Sequence, residues 1–222
     1  MIDLQDMVVK SLGAYDSQRD RSQQVEIGPS SIGGCRRRTY YDLKQAPKIN
    51  ETEKLAAILG TFIHAGMEQA ITRNDPFGDN FLIEIEVEHE GLKGHCDLYI
   101  KDLGLVVDWK TITKSGIRYL NDKQKRYQIH VYGYLLAKNG YEVKEVAIVG
   151  IPRDGKMKDI AVLREPYDES LALEGIAWLD DVKQTVANDL EIPAPEKTVK
   201  FCADYCPYFD QTGVAGCPSI QK

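Results

Sequence analysis

The sequence carries no excess of basic residues. Its 34 Asp and Glu outnumber 28 Lys and Arg, giving a net charge of −6 and a pI near 5.3. A protein that coats nucleic acid over its whole surface is basic, so that class is disfavoured. An enzyme is not, because clustered carboxylates that hold metal add to the negative total while DNA contacts stay local. Long apolar runs are also missing. The most apolar stretch, Leu55 to Ile63, is too short to span a bilayer. The first residues lack the basic start and apolar run of a signal peptide. The expectation is a cytoplasmic protein with no membrane contact and with reduced cysteines. There is no internal repeat, no low-complexity tract and no G-x-x-x-x-G-K-[ST], so no helicase motif. The 222 residues suit one sizeable domain that can bury a core without help from metal or cysteine.

What is present alternates helix and strand signals. Residues 1–20 have mixed apolar spacing that suits a short helix. Ser30-Ser31 offers a cap before the basic, aromatic segment Cys35 to Tyr41, which Pro47 ends. From Glu51 to about Arg73, Leu55, Ile58, Leu59, Phe62 and Ile63 recur at helical spacing, and Asn74-Asp75-Pro76 stops the helix. Phe81 to Glu88 alternates apolar and acidic residues, the period of a half-buried strand. Gly94 to Ile100 and Leu105 to Thr111 follow, joined at Asp102-Leu103-Gly104. A helix from about Lys123 to Lys138 closes on Asn139-Gly140. Strands near Val143–Gly150 and Asp159–Leu163 precede a last long helix from about Asp168 to Asp189. Pro193 and Pro195 then open a cysteine-rich tail. The reading is one α/β domain over residues 1–222 with a mixed sheet, its two ends tied together.

Asp97 and Asp108 lie on the two arms of one predicted hairpin. With a register symmetric about Asp102-Leu103, they sit opposite each other, about 5 Å apart at Cβ. Two carboxylates that close repel unless a cation or proton lies between them, and a divalent metal is a natural reason for the pairing. Lys110 is two residues from Asp108 and shares its face, while Trp109 points the other way into packing. Phosphodiester hydrolysis needs such parts: oxygen ligands for a metal, a water made more acidic, and a cation beside developing negative charge. A surface Asp–Lys pair explains the triplet equally well when it is taken alone.

Three further features surround it. His64 lies on the preceding helix, with Glu68 one turn on. An imidazole suits transition metals, although a lone His on an apolar helix is commonly a core residue. Gln128 and Tyr132 are i and i+4 on the helix after the hairpin, near Lys123, Lys125 and Arg126. An amide, a phenol and cations suit DNA contacts, and also suit an ordinary helix start.

Gly60-x-x-x-His64, Gly94-x-x-Asp97, Asp108-x-Lys110-Thr111 and Gln128-x-x-x-Tyr132, in that order, resemble the RecB-like branch of the PD-(D/E)XK nuclease superfamily. The resemblance covers about residues 55–135, with strands continuing to 163. It implies a restriction-endonuclease-like core of about 51–165, a central mixed sheet flanked by helices. It implies that His64, Asp97, Asp108 and the Trp109 carbonyl bind Mg²⁺ or Mn²⁺. Lys110 would orient or activate the attacking water, and Gln128 and Tyr132 would contact DNA. Glu86 sits where related enzymes often carry an acid on the preceding strand, with Glu84 and Glu88 as competitors.

Of the five cysteines, Cys96 follows strand alternation away from Asp97 and reads as a small buried hydrophobe. Cys35, Cys202, Cys206 and Cys217 make a four-thiolate set that would close a loop of more than 160 residues. Tetrahedral zinc and a [4Fe–4S] cluster both suit four thiolates. The placement is similar to the iron–sulfur staple of AddB-type and CRISPR-associated RecB-like exonucleases, and so implies the cluster, held by elements at about 30–45 and 193–222. The late gaps of three and ten residues are longer than that family's usual ones, and structural Zn²⁺ stays the alternative. Arg36, Arg37 and Arg38 would then rim the cluster and guide a DNA strand. Tyr40, Tyr41, Tyr205, Tyr208 and Phe209 are candidates to stack on bases or to pack around the metal.

The resemblance implies a DNA exonuclease, often on single strands, in recombination, repair or CRISPR-type processing, with protein partners in those pathways and a bacterial, archaeal or phage origin. Two other classes remain: a non-catalytic DNA-binding or assembly subunit that keeps the fold, and a cysteine-cluster redox protein.

Overall fold

The computed structural model describes residues 3–18 and 27–220. Its centre is a five-stranded mixed sheet in the order β1-β2-β3-β4-β5: Phe81–His89, Leu92–Ile100, Leu105–Ile112, Glu145–Pro152 and Ala161–Pro166. The first three strands form an antiparallel meander, β4 runs parallel to β3, and β5 returns antiparallel. A parallel neighbour needs a crossover. It is supplied by a helix at Lys123–Lys138, which we call α4 in chain order after α1 (Leu4–Ser17), α2 (Arg36–Leu43) and α3 (Leu55–Asn74). Helices α5 (Glu169–Ala187) and α6 (Val199–Tyr205) follow among the described residues. Predicted positions 1, 2, 19 and 20 of the first helix lie outside the described residues.

Each face of the sheet buries its own apolar layer. On one side α4 and α5 bring Ile129, Leu135, Leu136, Trp178 and Leu179 against Val106, Val146 and Ile148. On the other, Met67 and Ile71 of α3 cover Leu98, Leu105, Val107 and Trp109. Burial on both faces explains why β3 and β4 read as near-continuous apolar runs. The helix ends follow local chemistry. Asp122 accepts from the Lys125 N–H at 2.9 Å and starts α4, which stops at Asn139 with Gly140 at φ 88°. Asp168 accepts from the Ser170 and Leu171 N–H groups and starts α5. Ser30-Ser31 does not cap the basic segment. It forms a 3-10 turn with Pro29, and Cys35 is the residue that precedes α2. Helix α3 starts at Leu55 rather than Glu51, and the tail contains α6, which its Cys and aromatic content concealed.

Gly94 shows how the layers constrain the sequence. A Cβ there would lie 2.8 Å from the Tyr132 ring and 2.9 Å from Pro29. The first glycine of Gly94-x-x-Asp97 is thus a close approach of β2 to α4 and the 28–34 segment. Gly94→Ala is expected to destabilise the fold by about 1–3 kcal/mol through overpacking. Chemical denaturation checks this, and an unchanged midpoint would show that Tyr132 can yield.

Candidate active site

The β2–β3 ladder ends at Leu98↔Val107. Its register, extended by one rung, sets Asp97 opposite Asp108 as predicted. The two strands have parted by then, and the freed Trp109 N–H donates to Asp97 Oδ2 at 2.7 Å. Asp97 Oδ1 lies 3.2 Å from His64 Nδ1. His64 reaches it because it shares a face of α3 with Met67 and Ile71, one and two turns further along, which pack on the sheet.

On β1 the rung opposite Asp97 is also broken. Pairing runs Ile83↔Leu98 and then Ile85↔Cys96, skipping Glu84, whose φ is 48°. The pleat inverts there. Ile83 packs with the α3 layer but Ile85 and Val87 with the α4 layer, and on β2 Cys96 and Leu98 likewise face opposite layers. The simple alternation expected for Phe81 to Glu88 therefore fails at one residue. Left-handed backbone at a non-glycine residue costs about 1–3 kcal/mol and gathers at functional sites. Its effect is to bring a Glu84 carboxylate oxygen, an Asp97 oxygen and a His64 ring nitrogen within 4.8 Å of one another. Glu86, the sequence's first choice on this strand, is corrected to Glu84. Glu86 is exposed and pairs with Lys93 at 2.8 Å and His95 at 3.3 Å. The signal was present in Glu90-Gly91, both left-handed (φ 50° and 75°), a two-residue hairpin turn whose register alone sets Glu84 against Asp97.

The other half of the site is a buried polar network. Asp108 is 2% exposed. Its Oδ2 lies 2.7 Å from Lys110 Nζ yet accepts no well-angled hydrogen bond. Lys110 Nζ also donates to Gln128 Oε1 at 2.7 Å, and Gln128 Nε2 donates to Asp108 Oδ1 at 3.2 Å and to the Tyr132 hydroxyl at 3.4 Å. The amide orientation follows from its neighbours, since an ammonium only donates and a carboxylate only accepts. Tyr132 is 1% exposed and Gln128 5%. The structure thus corrects the expectation of a DNA-contacting Tyr132. It is a core residue that steadies Gln128, and Gln128 positions Lys110. Glu68 is exposed. Lys123, Lys125 and Arg126 are engaged with Tyr127, Asp122 and Glu165 respectively.

The electrostatics suit a bound cation. Burial pushes the Asp108 carboxyl up, against Lys110, and the Asp97 charge adds to the rise. Burial opposes the His64 cation, but the Asp97 hydrogen bond and charge, with Asp108, outweigh it and hold its pKa above the ordinary value. Both shifts favour the less negative form of the pair, as expected where carboxylates crowd without a counter-cation. Three ligand-type groups converge and a buried carboxylate oxygen keeps acceptor capacity, so the residues fit a metal.

A family model described as the PD-(D/E)XK nuclease superfamily matches residues 73–211. This chain belongs to that superfamily. The match takes in Asp97, Asp108, Lys110 and Gln128 but stops short of His64, Cys35 and Cys217. None of the curated proteins matches the chain. Among solved structures, that of SSO0001 has a TM-score of 0.56 at 20% identity, covering 100% of this chain and 99% of that one. An alkaline exonuclease from Laribacter hongkongensis has a TM-score of 0.53 at 11% identity, covering 76% and 91%. At these identities the likeness is one of fold. Superfamily membership makes the α/β fold that of a nuclease, and nucleases of this superfamily use divalent metals, in keeping with the acidic and histidine set found here. No helix among the described residues is long and apolar enough to cross a membrane.

Four cysteines lie where the 35–53 segment meets the tail of this nuclease-family chain. Cys35, Cys202, Cys206 and Cys217 are all free thiols, the last three buried. The Cys202 thiol is pushed up to about 11 by burial and then by the Cys206, Cys217 and Cys35 thiols, which places the four in one electrostatic neighbourhood. The 35–53 segment holds the tail directly. Arg38 donates to the Tyr205 carbonyl at 3.2 Å, Asn50 to the Ala203 and Cys206 carbonyls at 3.1 Å, and the Tyr208 hydroxyl to Asp42 at 2.7 Å. Arg36 contacts Glu196 and lies over Trp178, and Arg37 points an N–H at Cys217 Sγ 3.9 Å away. All three arginines are thus engaged at the tail or α5. Tyr40 and Tyr208 are buried and Tyr41 packs on Tyr208, so these rings pack around the thiols, while Tyr205 stays exposed beside Phe201. Cys96, with no exposed surface, is a core residue as expected.

Proposed function

We propose that this protein is a Mg²⁺- or Mn²⁺-dependent DNA exonuclease of the RecB-like branch, acting on single strands in recombination, repair or CRISPR-type DNA processing. The observation that carries the reading is the convergence of Asp97, His64 and Glu84 beside the Asp108–Lys110–Gln128 network. His64, Glu84, Asp97 and Asp108, with the Trp109 carbonyl, are the groups that would hold the metal. The metal supplies Lewis-acid stabilisation of phosphate charge and acidifies a water. Lys110, fixed by Gln128, places a positive charge beside the reacting phosphate, which is worth most in a buried setting. A non-catalytic subunit has no need for a buried Asp108 held against its own desolvation, which favours the enzyme over that alternative.

Four thiolates support a [4Fe–4S] cluster at the junction of the ends. The choice of cluster over zinc rests on the family resemblance, and metal analysis of the purified protein decides it. The Ser219 N–H donates to Cys217 Sγ at 3.4 Å, the kind of bond that stabilises thiolate ligands.

The test is end-labelled single- and double-stranded DNA incubated without metal, with Mg²⁺ and with Mn²⁺. Stepwise shortening of the single strand from one end is expected. Internal cuts would make the protein an endonuclease, and no cleavage with either cation would support the non-catalytic subunit.

Metal binding also carries a pH signature. Asp108, raised above 3.8 in the folded state, makes metal-free stability fall as pH climbs past that value. His64, raised above 6.5, contributes stability below that value that is lost as pH rises through its folded pKa. Metal binds the deprotonated forms of both groups, so protonation of either competes with it. Saturating Mn²⁺ is therefore expected to raise the melting temperature by roughly 5–10 °C at about pH 8 and by much less at about pH 5.5. Scanning calorimetry with matched metal-free controls reads this, and an equal shift at both pH values would place the metal elsewhere.

A further inference from the structure

Beyond the end of β3 the chain collects cations that no catalytic or structural feature uses. Ile112 of β3 pairs with Pro152 of β4, and the Arg153 N–H donates to the Ile112 carbonyl at 2.9 Å. This brings the 3-10 turn at Lys114–Tyr119 next to the β4–β5 loop, 153–160. The loop has two carboxylates, both held by local hydrogen bonds, and five cations lie around them. Asp154 accepts from the Lys114 N–H at 2.6 Å, and Asp159 accepts from the Lys156 N–H at 2.9 Å and from Lys114 Nζ at 3.1 Å. Those bonds, the Lys156 N–H first, hold the Asp159 carboxyl below its usual range.

What remains is positive. Arg153, Lys156 and Lys158 are exposed and have no ion-pair partner among the described residues. Arg118 is exposed too, with its guanidinium 4.9 Å from the Tyr119 ring centroid. Tyr119 is 55% exposed and Met157, between the two lysines, 84%. In a chain of net charge −6, this is a local concentration of the opposite sign. It begins at Arg153, three residues past the Lys110 partner Gly150, about 10 Å along the strand direction at the usual rise. The strand that carries the catalytic pair thus leads straight to it.

We infer that this surface is the track for a single-stranded DNA backbone entering or leaving the site, an inference that rests on the nuclease reading. Arg118, Arg153, Lys156 and Lys158 take the phosphates, and Tyr119 offers its face to an unpaired base. A backbone track made of isolated, uncompensated cations beside an exposed ring matches how single strands are held without sequence preference. An acidic peptide would find the cations but would leave the ring without a role.

The test uses the full-length protein in an Asp108→Asn background, so that bound DNA survives, and fluorescence anisotropy with a single-stranded oligothymidylate and a hairpin duplex. The triple variant Arg153→Ser, Lys156→Ser, Lys158→Ser is expected to flatten the log–log salt dependence of single-strand binding by about 2, at about 0.7 for each phosphate that is no longer neutralised. Tyr119→Ala is expected to weaken single-strand binding at least about fivefold and duplex binding less. The single variants Arg153→Ser and Lys158→Ser, each flattening the slope by about 0.7, serve if the triple variant melts early. An unchanged slope in these variants, with wild-type protein cleaving DNA, overturns the track and leaves the nuclease reading standing. Equal losses on both DNAs from Tyr119→Ala overturn its stacking role. If the wild type neither binds nor cleaves DNA, it is the nuclease reading that falls.

Discussion

Asp108→Asn is expected to lower DNA cleavage by about a thousandfold or more while leaving the metal-free protein as stable as wild type or more stable. The two effects share one cause. Asp108 is buried beside Asp97, and its carboxyl is pushed up by that burial, so its charge opposes folding when no metal is present. An asparagine keeps the shape and removes the unfavourable charge, and its single carbonyl oxygen still accepts from Gln128. The same substitution removes a ligand and the anion that holds Lys110 in place. Lys110→Ala should lower cleavage comparably with the opposite effect on stability, because it strands Asp108 without its cation. Activity and thermal melts on the same preparations read both halves. A residue of merely structural importance would lose stability and activity together.

Replacing Cys206 with serine is expected to strip the proposed cluster and release the tail. Purified without oxygen, the wild type should be brown and contain iron and acid-labile sulfide, and the variant should be colourless. The tail gains little from its own short helix α6 and is tied down by contacts with residues 35–53. Loss of a centre that bridges the two segments should cost several kcal/mol, on the order seen for structural metals. Limited proteolysis should then cut within 193–220 in the variant only. A colourless wild type with one zinc would contradict the cluster and keep a four-thiolate site. Equal protease resistance in wild type and variant would contradict any bridging centre.

The elements whose bounds the sequence locates well are those with strong local capping signals. Helix α4 is bounded by Asp122-Lys123 and Asn139-Gly140 as expected, because both caps are written in local chemistry. The Asp97–Asp108 register is legible because a short turn fixes it. Departures from regularity are what periodicity misses. The pleat inversion at Glu84 breaks the alternation that makes Glu86 look equivalent, and nothing in a period-two pattern marks where a strand reverses faces. Tyr132 and Gln128 suit DNA by residue type. Burial, which depends on how α4 meets the sheet, puts them beneath Lys110 instead. The arginines beside Cys35 look like a surface track, yet pairing between segments about 160 residues apart, as in Arg36 with Glu196, engages them at the tail. The unengaged cations lie in a loop with no motif at all, where only the β3–β4 pairing brings them near the site.

The most direct measurement of the central claim is release of labelled nucleotide from single-stranded DNA by wild type and Asp108→Asn, side by side, with Mn²⁺ and with a chelator. Release by the wild type with Mn²⁺ alone, and none by the variant under either condition, is the predicted result. Cleavage that persists in the variant at the wild-type rate would contradict the assignment of the active site to Asp97, Asp108 and Lys110.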